Sequence, residues 1–164
     1  MQALPLPLDV DGPVQAEVFV VWLNSQTIEL SGPDGAAPWL IELASAEHPI
    51  EVVRRIVADV LGRPKLVHST SWRRDRDAVI LTFVAVVDGR LVADLPSAPV
   101  GRAALARSGA AAAPASIAHD QVLEHALRHL SWLATDDEVV RGELPDAWHR
   151  ALAAFVPEPF RALG

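Results

Sequence analysis

Cysteine is missing from the 164 residues of this chain, and lysine occurs once, as Lys65. The lack of thiols excludes a disulfide framework and a thiolate metal site. No apolar run approaches the roughly 18 unbroken residues that a membrane-spanning helix needs, so we expect no membrane partner. The first 13 residues lack a basic start and carry prolines and aspartates, which is not the pattern of a signal peptide. We therefore expect a cytoplasmic protein.

Positive charge is also scarce, because 14 basic residues face 21 acidic residues and the formal net charge is −7. Broad binding to nucleic-acid backbones requires a basic footprint, so this charge predicts no nucleic-acid partner. A small nucleotide-like ligand is compatible with it, since phosphate recognition needs only about two or three local cations.

The hydrophobic content of 51% is enough to build a core. Runs of β-branched and aromatic residues predict buried strands at 16–23 and 78–87. Shorter strands are predicted at 26–30, 38–43, 65–72 and 90–93, the last after an Asp88-Gly89 hairpin turn. A helix is predicted from Pro49 to the residue before Gly62. This order predicts a mixed sheet with packed helices, an α/β (α+β) fold.

Composition divides the chain into four parts. Residues 1–15 are a lead rich in proline and aspartate, and residues 16–94 carry the strands and the first helix. Residues 95–115 are rich in Pro, Ala, Gly and Ser, which predicts a flexible linker or loop. Residues 116–164 predict a helical part that packs on the core, with helices at 117–134 and 145–155 and a short helix between them whose capping box is Thr135 and Glu138.

The segment between Ile41 and Arg63 reads IELASAEHPIEVVRRIVADVLGR. Its spacing resembles the Nudix box, Gly-x5-Glu-x7-Arg-Glu-U-x-Glu-Glu-x-Gly-U, where U is a bulky aliphatic residue. Four positions match without a gap: Glu47, Arg55, Val57 and Gly62. The others differ, because Ile41 replaces the first glycine, Ile56 and Val60 replace two glutamates, Asp59 replaces the third and Arg63 replaces the last aliphatic residue.

This resemblance implies a Nudix-like α/β/α sandwich with added C-terminal helices. In the family, the box helix presents carboxylates that hold magnesium or manganese against a diphosphate. Here Asp59 is the one carboxylate at the three matching positions, so it is the candidate metal ligand, whereas Ile56 and Val60 make that face apolar. We expect no cofactor, and Mg²⁺ or Mn²⁺ only if hydrolysis is retained. Glu47 and Arg55 are expected to form a structural salt bridge.

A second cluster carries candidate ligand-binding residues: Trp72, Arg73, Arg74 and Arg76. An aromatic ring beside forked guanidinium groups can hold a base and a phosphate. The alternative is a solvated hairpin in which Asp75 and Asp77 partly cancel the charge. His125 and His129 lie four apart on a predicted helix, which is compatible with a shared metal but more typical of a polar helix face.

Three interpretations follow from these observations. The first is a Nudix-like domain with a degenerate metal box, catalytically impaired, that acts as a ligand-binding, regulatory or assembly protein and could form a homodimer. The second is an active metal-dependent hydrolase of nucleoside diphosphate derivatives whose metal site has moved. The third is a small α+β domain in which the box spacing is a coincidence. No catalytic residue is assigned, and the sequence leaves enzyme activity open.

Overall fold

The structure, a computed structural model, describes residues 12–44, 47–103 and 118–156. Within these residues the chain forms one six-stranded mixed sheet with α-helices on both faces. The strands are β1 (Val14–Asn24), β2 (Thr27–Ser31), β3 (Trp39–Leu43), β4 (Leu66–Asp75), β5 (Ala78–Val86) and β6 (Ser97–Pro99). The α-helices are α1 (Pro49–Val60), α2 (His119–Asp136), α3 (Glu138–Glu143) and α4 (Asp146–Leu152).

Strand β1 organises the sheet, whose order is β4-β5-β1-β2-β6. It runs parallel to β5 and antiparallel to β2, which pairs with its C-terminal half. Strand β3 pairs with the N-terminal half of β1, on the same side as β2. The 11 residues of β1 pair with three strands, and both of its faces are covered by helices, which explains why it is nearly continuous in apolar residues.

Side-chain alternation along the strands builds two cores, one on each face. Phe19 and Val21 of β1 face a core that α2, α3 and α4 cover. Val18 and Val20 face the opposite core, which α1 covers through Val53 and Val57. The predicted strands at 16–23, 26–30, 38–43, 65–72 and 78–87 and the predicted helix at 49–61 all correspond to observed elements.

The strand predicted at 90–93 is wrong. Residues Gly89–Val92 form a short 3₁₀ helix, because the Asp88 carboxylate accepts a hydrogen bond from the backbone N–H of Arg90 at 3.0 Å and caps a helical turn. Gly89 is needed at this point, since an added Cβ would lie 2.6 Å from the Trp22 ring.

The sixth strand lies in the segment predicted to be a flexible linker. Residues Ser97–Pro99 pair antiparallel with β2 and form the edge strand of the sheet. Proline is tolerated there because an edge strand has unpaired backbone groups on its outer side. The rest of the predicted linker from residue 104, and the start of the helix predicted at 117, lie outside the described residues.

The C-terminal helices pack together on one face of the sheet. Leu127 and Leu130 of α2 are fully buried against β1 and β5, and Trp148 and Leu152 of α4 close the same core. The cap of α3 differs from the prediction, because Asp137, not Thr135, accepts the first backbone N–H groups. No helix among the described residues is long and apolar enough to cross a membrane.

Candidate functional site

The box helix α1 keeps the frame that the sequence motif predicts. Arg55 donates to Glu47 from Nη2 to Oε2 at 3.1 Å and from Nη1 to Oε1 at 3.5 Å, so the expected salt bridge is present. Both side chains are exposed, and the bond to Glu47 raises the pKa of Arg55. Val57 is buried in the core under the helix. The pair joins the loop before α1 to the helix, which is a structural role.

Gly62 ends the helix in a conformation that favours glycine. Its φ is +109°, and an added Cβ would lie 3.0 Å from a methyl group of Leu91. The backbone N–H of Gly62 donates to the carbonyl oxygen of Ala58, which satisfies one of the last carbonyl groups of α1. The glycine of the motif is therefore explained by backbone geometry and close packing alone.

The face of α1 that carries the glutamate positions of the motif is mostly apolar. Ile56 and Val60, at two of the glutamate positions of the motif, line a narrow groove together with Ile41 and Trp39 of β3. Val60 is 59% exposed, so solvent meets an aliphatic side chain where a metal-binding site would need an oxygen ligand. Asp59 is exposed beside them and is the one carboxylate at these positions.

Other carboxylates do not complete a metal site on this face. Glu51 is engaged by Arg54 in an exposed ion pair at 3.5 Å. Glu42 follows Ile41 along β3, and because adjacent strand residues point to opposite faces it faces away from the α1 side. In the described part of the chain, no group of three or more His, Cys, Asp or Glu side chains is arranged to hold a metal ion.

A β-bulge in β4 decides where the candidate ligand-binding residues point. The register with β5 shifts between Ser69 and Ser71, which leaves Thr70 as the extra residue. After the bulge, odd-numbered residues face α2, so Arg73 points to the α2 side. Trp72 and Arg74 point to the opposite face. The four residues are therefore not brought together as one cluster.

Arg73 is occupied by a buried carboxylate. Its Nη1 lies 2.7 Å from Oε2 of Glu17, and its Nη2 lies 3.0 Å from Oε1. Glu17 has no solvent exposure and accepts a further hydrogen bond from the Thr82 hydroxyl at 3.1 Å. His119 Nε2, at the start of α2, lies 3.4 Å from Glu17 Oε1. The hydrogen bond to Glu17 raises the pKa of Arg73. The arrangement ties β1, β4, β5 and α2 together.

Sequence reasoning missed Glu17 and Thr82, although one signal for Glu17 was present. Glu17 is the single charged residue in the run AEVFVVWL, and a buried charge in a central strand requires a charged partner. The partner is 56 residues away, and only the strand order with the bulge places it.

A second buried carboxylate, Glu124, stands in α2. Arg102 donates to it from Nε at 2.8 Å and also lies over the Phe155 ring at 4.5 Å. Arg102 and His119 line a cavity of about 240 Å³ between β6 and the start of α2. Sequence analysis assigned no role to these residues. Part of the chain segment that joins Arg102 to His119 lies outside the described residues.

His129 of α2 packs against β4. His129 stacks on His68 with ring centroids 5.6 Å apart, and the Trp132 ring is 5.7 Å from His129. Burial lowers the pKa of His129 to about 4, helped by the charges of His68 and His125. Burial also lowers the pKa of His68, against the opposing effect of Asp137. These rings form a packed polar layer between helix and sheet.

Comparison with known proteins supports the fold. No protein-family model matches the chain, and no curated protein matches it. Among solved structures, the chain is similar to NrtR of Shewanella oneidensis, crystallised with a 27mer DNA, with a TM-score of 0.57 and 14% identity over 91% of this chain and 79% of that one. The mixed α+β fold is consistent with the predicted Nudix-like α/β sandwich.

The same comparison corrects one expectation. Net charge predicted no nucleic-acid partner, yet a protein of similar fold was crystallised with DNA. The reasoning failed because net charge is a sum over the whole chain, whereas binding depends on the charges of one surface. The exclusion of nucleic acid is therefore wrong.

Proposed function

We propose that this chain is a Nudix-like domain that has lost metal-dependent hydrolysis and acts by binding a partner, in a regulatory or assembly role. The observation that carries this proposal is the face of α1, where Ile56 and Val60 occupy the positions of two metal-binding glutamates. Magnesium and manganese require several oxygen ligands, and two aliphatic side chains supply none. Asp59 alone would leave a weakly held ion surrounded by water.

The retained and altered positions of the box differ in their physical role. The retained ones support structure: the Glu47–Arg55 salt bridge, the buried Val57 and the helix-ending Gly62. The altered ones are those that would carry chemistry. The contrast between retained structural positions and altered chemical positions supports a domain that keeps its fold and acts without hydrolysis. The similarity to a protein crystallised with DNA makes nucleic acid the first class of partner to test.

The test is hydrolysis of a panel of nucleoside diphosphates linked to a sugar, a phosphate or a second nucleoside. Wild type and Asp59→Asn are assayed with Mg²⁺ and with Mn²⁺, and circular dichroism establishes that both are folded. We expect product release no faster than without protein, and no difference between the two proteins. Metal-dependent turnover that Asp59→Asn abolishes would show that the box still works and would overturn the proposal.

A further inference from the structure

Trp72 is the most exposed aromatic side chain described in this protein, at 67% of its full surface. It lies on β4, the edge strand at one end of the sheet, and points to the face opposite Arg73. Large exposed aromatic side chains are costly to hydrate and often mark interaction sites.

Two guanidinium groups accompany this ring. Arg74 follows two residues later on the same face of β4, and Arg76 lies in the turn at the end of the hairpin. Both are exposed, and neither forms an ion pair with the residues that the structure describes. Arg76 has a φ of +52°, which glycine or asparagine adopts with less strain, so backbone geometry alone does not favour arginine there.

Strand alternation places Arg74 and the next residue, Asp75, on opposite faces of β4. Asp75 shares the face of Arg73, where its charge helps to raise the pKa of Arg73. Trp72 and Arg74 therefore share one face of β4, and Asp77 lies beside Arg76 in the turn. An aromatic ring beside two guanidinium groups favours a partner that offers both a base and negative charge.

We propose that the β4–β5 hairpin binds single-stranded nucleic acid, with the Trp72 ring stacked on an unpaired base and Arg74 and Arg76 on the flanking phosphates. This rests on the proposed function in that it names the partner of a binding protein. Duplex bases have both faces covered by neighbours, so an exposed indole can stack only on an unpaired base. Two phosphate contacts predict a shallow salt dependence, with a log-log slope of about −1.4 for a single strand.

The experiment is fluorescence anisotropy of a labelled oligothymidine of about 12 nucleotides, titrated with the full chain at several salt concentrations. We expect saturable binding at low salt. Trp72→Ala should weaken it by about tenfold, and Trp72→Phe should retain most of the affinity because a ring remains. Arg74→Ala with Arg76→Ala should weaken it and bring the salt slope close to zero.

The charge control is Arg63→Ala, which removes one positive charge from another exposed position, as each of the two hairpin substitutions does. We expect that change to alter affinity less than twofold. Absence of binding by wild type at low salt, an equal loss with Arg63→Ala, or binding to the matching duplex that is as strong and insensitive to Trp72→Ala would each overturn the proposal. Such failure leaves the hydrolysis assay unaffected, and turnover in that assay would not change the oligonucleotide result, so the two proposals fail separately.

Discussion

Glu17 shows how one residue can constrain a whole strand. Its carboxylate is fully buried in the centre of the sheet and is compensated by Arg73, Thr82 and His119. A buried pair of this kind adds little over a well-packed apolar pair, but removal of one partner leaves a charge that neither water nor protein satisfies. We expect the pair to act mainly by fixing the register of β4 against β5, since it joins β4 to β1 across β5.

Arg73→Ala is accordingly predicted to lower the free energy of unfolding by about 3 kcal/mol, because it leaves Glu17 buried without its cation. Urea denaturation followed by circular dichroism measures the change. The control is Arg74→Ala, the next residue on the opposite, exposed side, which should change stability by less than about 0.5 kcal/mol. Equal costs at the two positions would contradict the role assigned to Glu17.

Gly62 makes a second prediction at this scale. Gly62→Ala is expected to cost about 1–2 kcal/mol of unfolding free energy, since alanine would be strained at φ +109° and would crowd Leu91. Gly101→Ala is the matched control, because an added Cβ there meets nothing within 4 Å. A smaller loss for Gly62→Ala than for Gly101→Ala, measured by urea denaturation, would refute this explanation of the motif glycine.

At the scale of elements, the strands and α1 follow from the sequence because their signals are local. The nearly continuous apolar run of β5 and the spacing of Val53 and Val57 in α1 are visible in a few consecutive residues. The 3₁₀ turn at Gly89–Val92 was misread as a strand, since the Asp88-Gly89 pair also starts hairpins. The bulge at Thr70 has no local signal, and it decides which arginine faces Glu17.

The contact between α2 and β4 predicts a pH dependence. The pKa of His129 is about 4 in the folded chain and near 6.5 in the unfolded chain, so below pH ~6.5 the unfolded state binds a proton that the folded state excludes. The His129 ring packs against the rings of His68 and Trp132, and the charge of His125 lowers its pKa further. Burial lowers the pKa of His68, and the Asp137 carboxylate raises it. The contribution of His129 to the free energy of unfolding is therefore fully present above pH ~6.5 and is lost as pH falls toward 4.

His129→Gln should therefore flatten the decline of unfolding free energy between pH ~6.5 and 4, measured by urea denaturation at each pH. The comparison variant is His48→Gln at the exposed start of α1, which should keep the wild-type slope. A wild-type slope in His129→Gln would mean that another group carries the acid sensitivity.

In the molecule as a whole, the sequence predicted the mixed α+β architecture and the position of α1 but not the connections across the sheet. The motif spacing located α1, its salt bridge and its final glycine, because these depend on residues at most eight positions apart. The Glu17–Arg73 pair, the strand β6 and the separation of Trp72 from Arg73 depend on long-range pairing, which no local pattern contains. Net charge could not exclude a nucleic-acid partner for a different reason, because it sums charges over the whole chain and binding depends on one surface.

We propose that this fold keeps the frame of a Nudix box without its metal site. Binding of Mn²⁺ tests this loss of the metal site. Mn²⁺ is titrated into the wild type and into the double variant Ile56→Glu, Val60→Glu, and electron paramagnetic resonance measures the free ion. The double variant Ile56→Gln, Val60→Gln is the uncharged control of similar size. We predict that the glutamate variant binds Mn²⁺, because positions 56, 59 and 60 would then present three carboxylates on one helix face, and that the wild type and the glutamine variant do not. Two results would refute the loss of the metal site. One is tight Mn²⁺ binding by the wild type that Asp59→Asn removes, and the other is a folded glutamate variant that does not bind the ion.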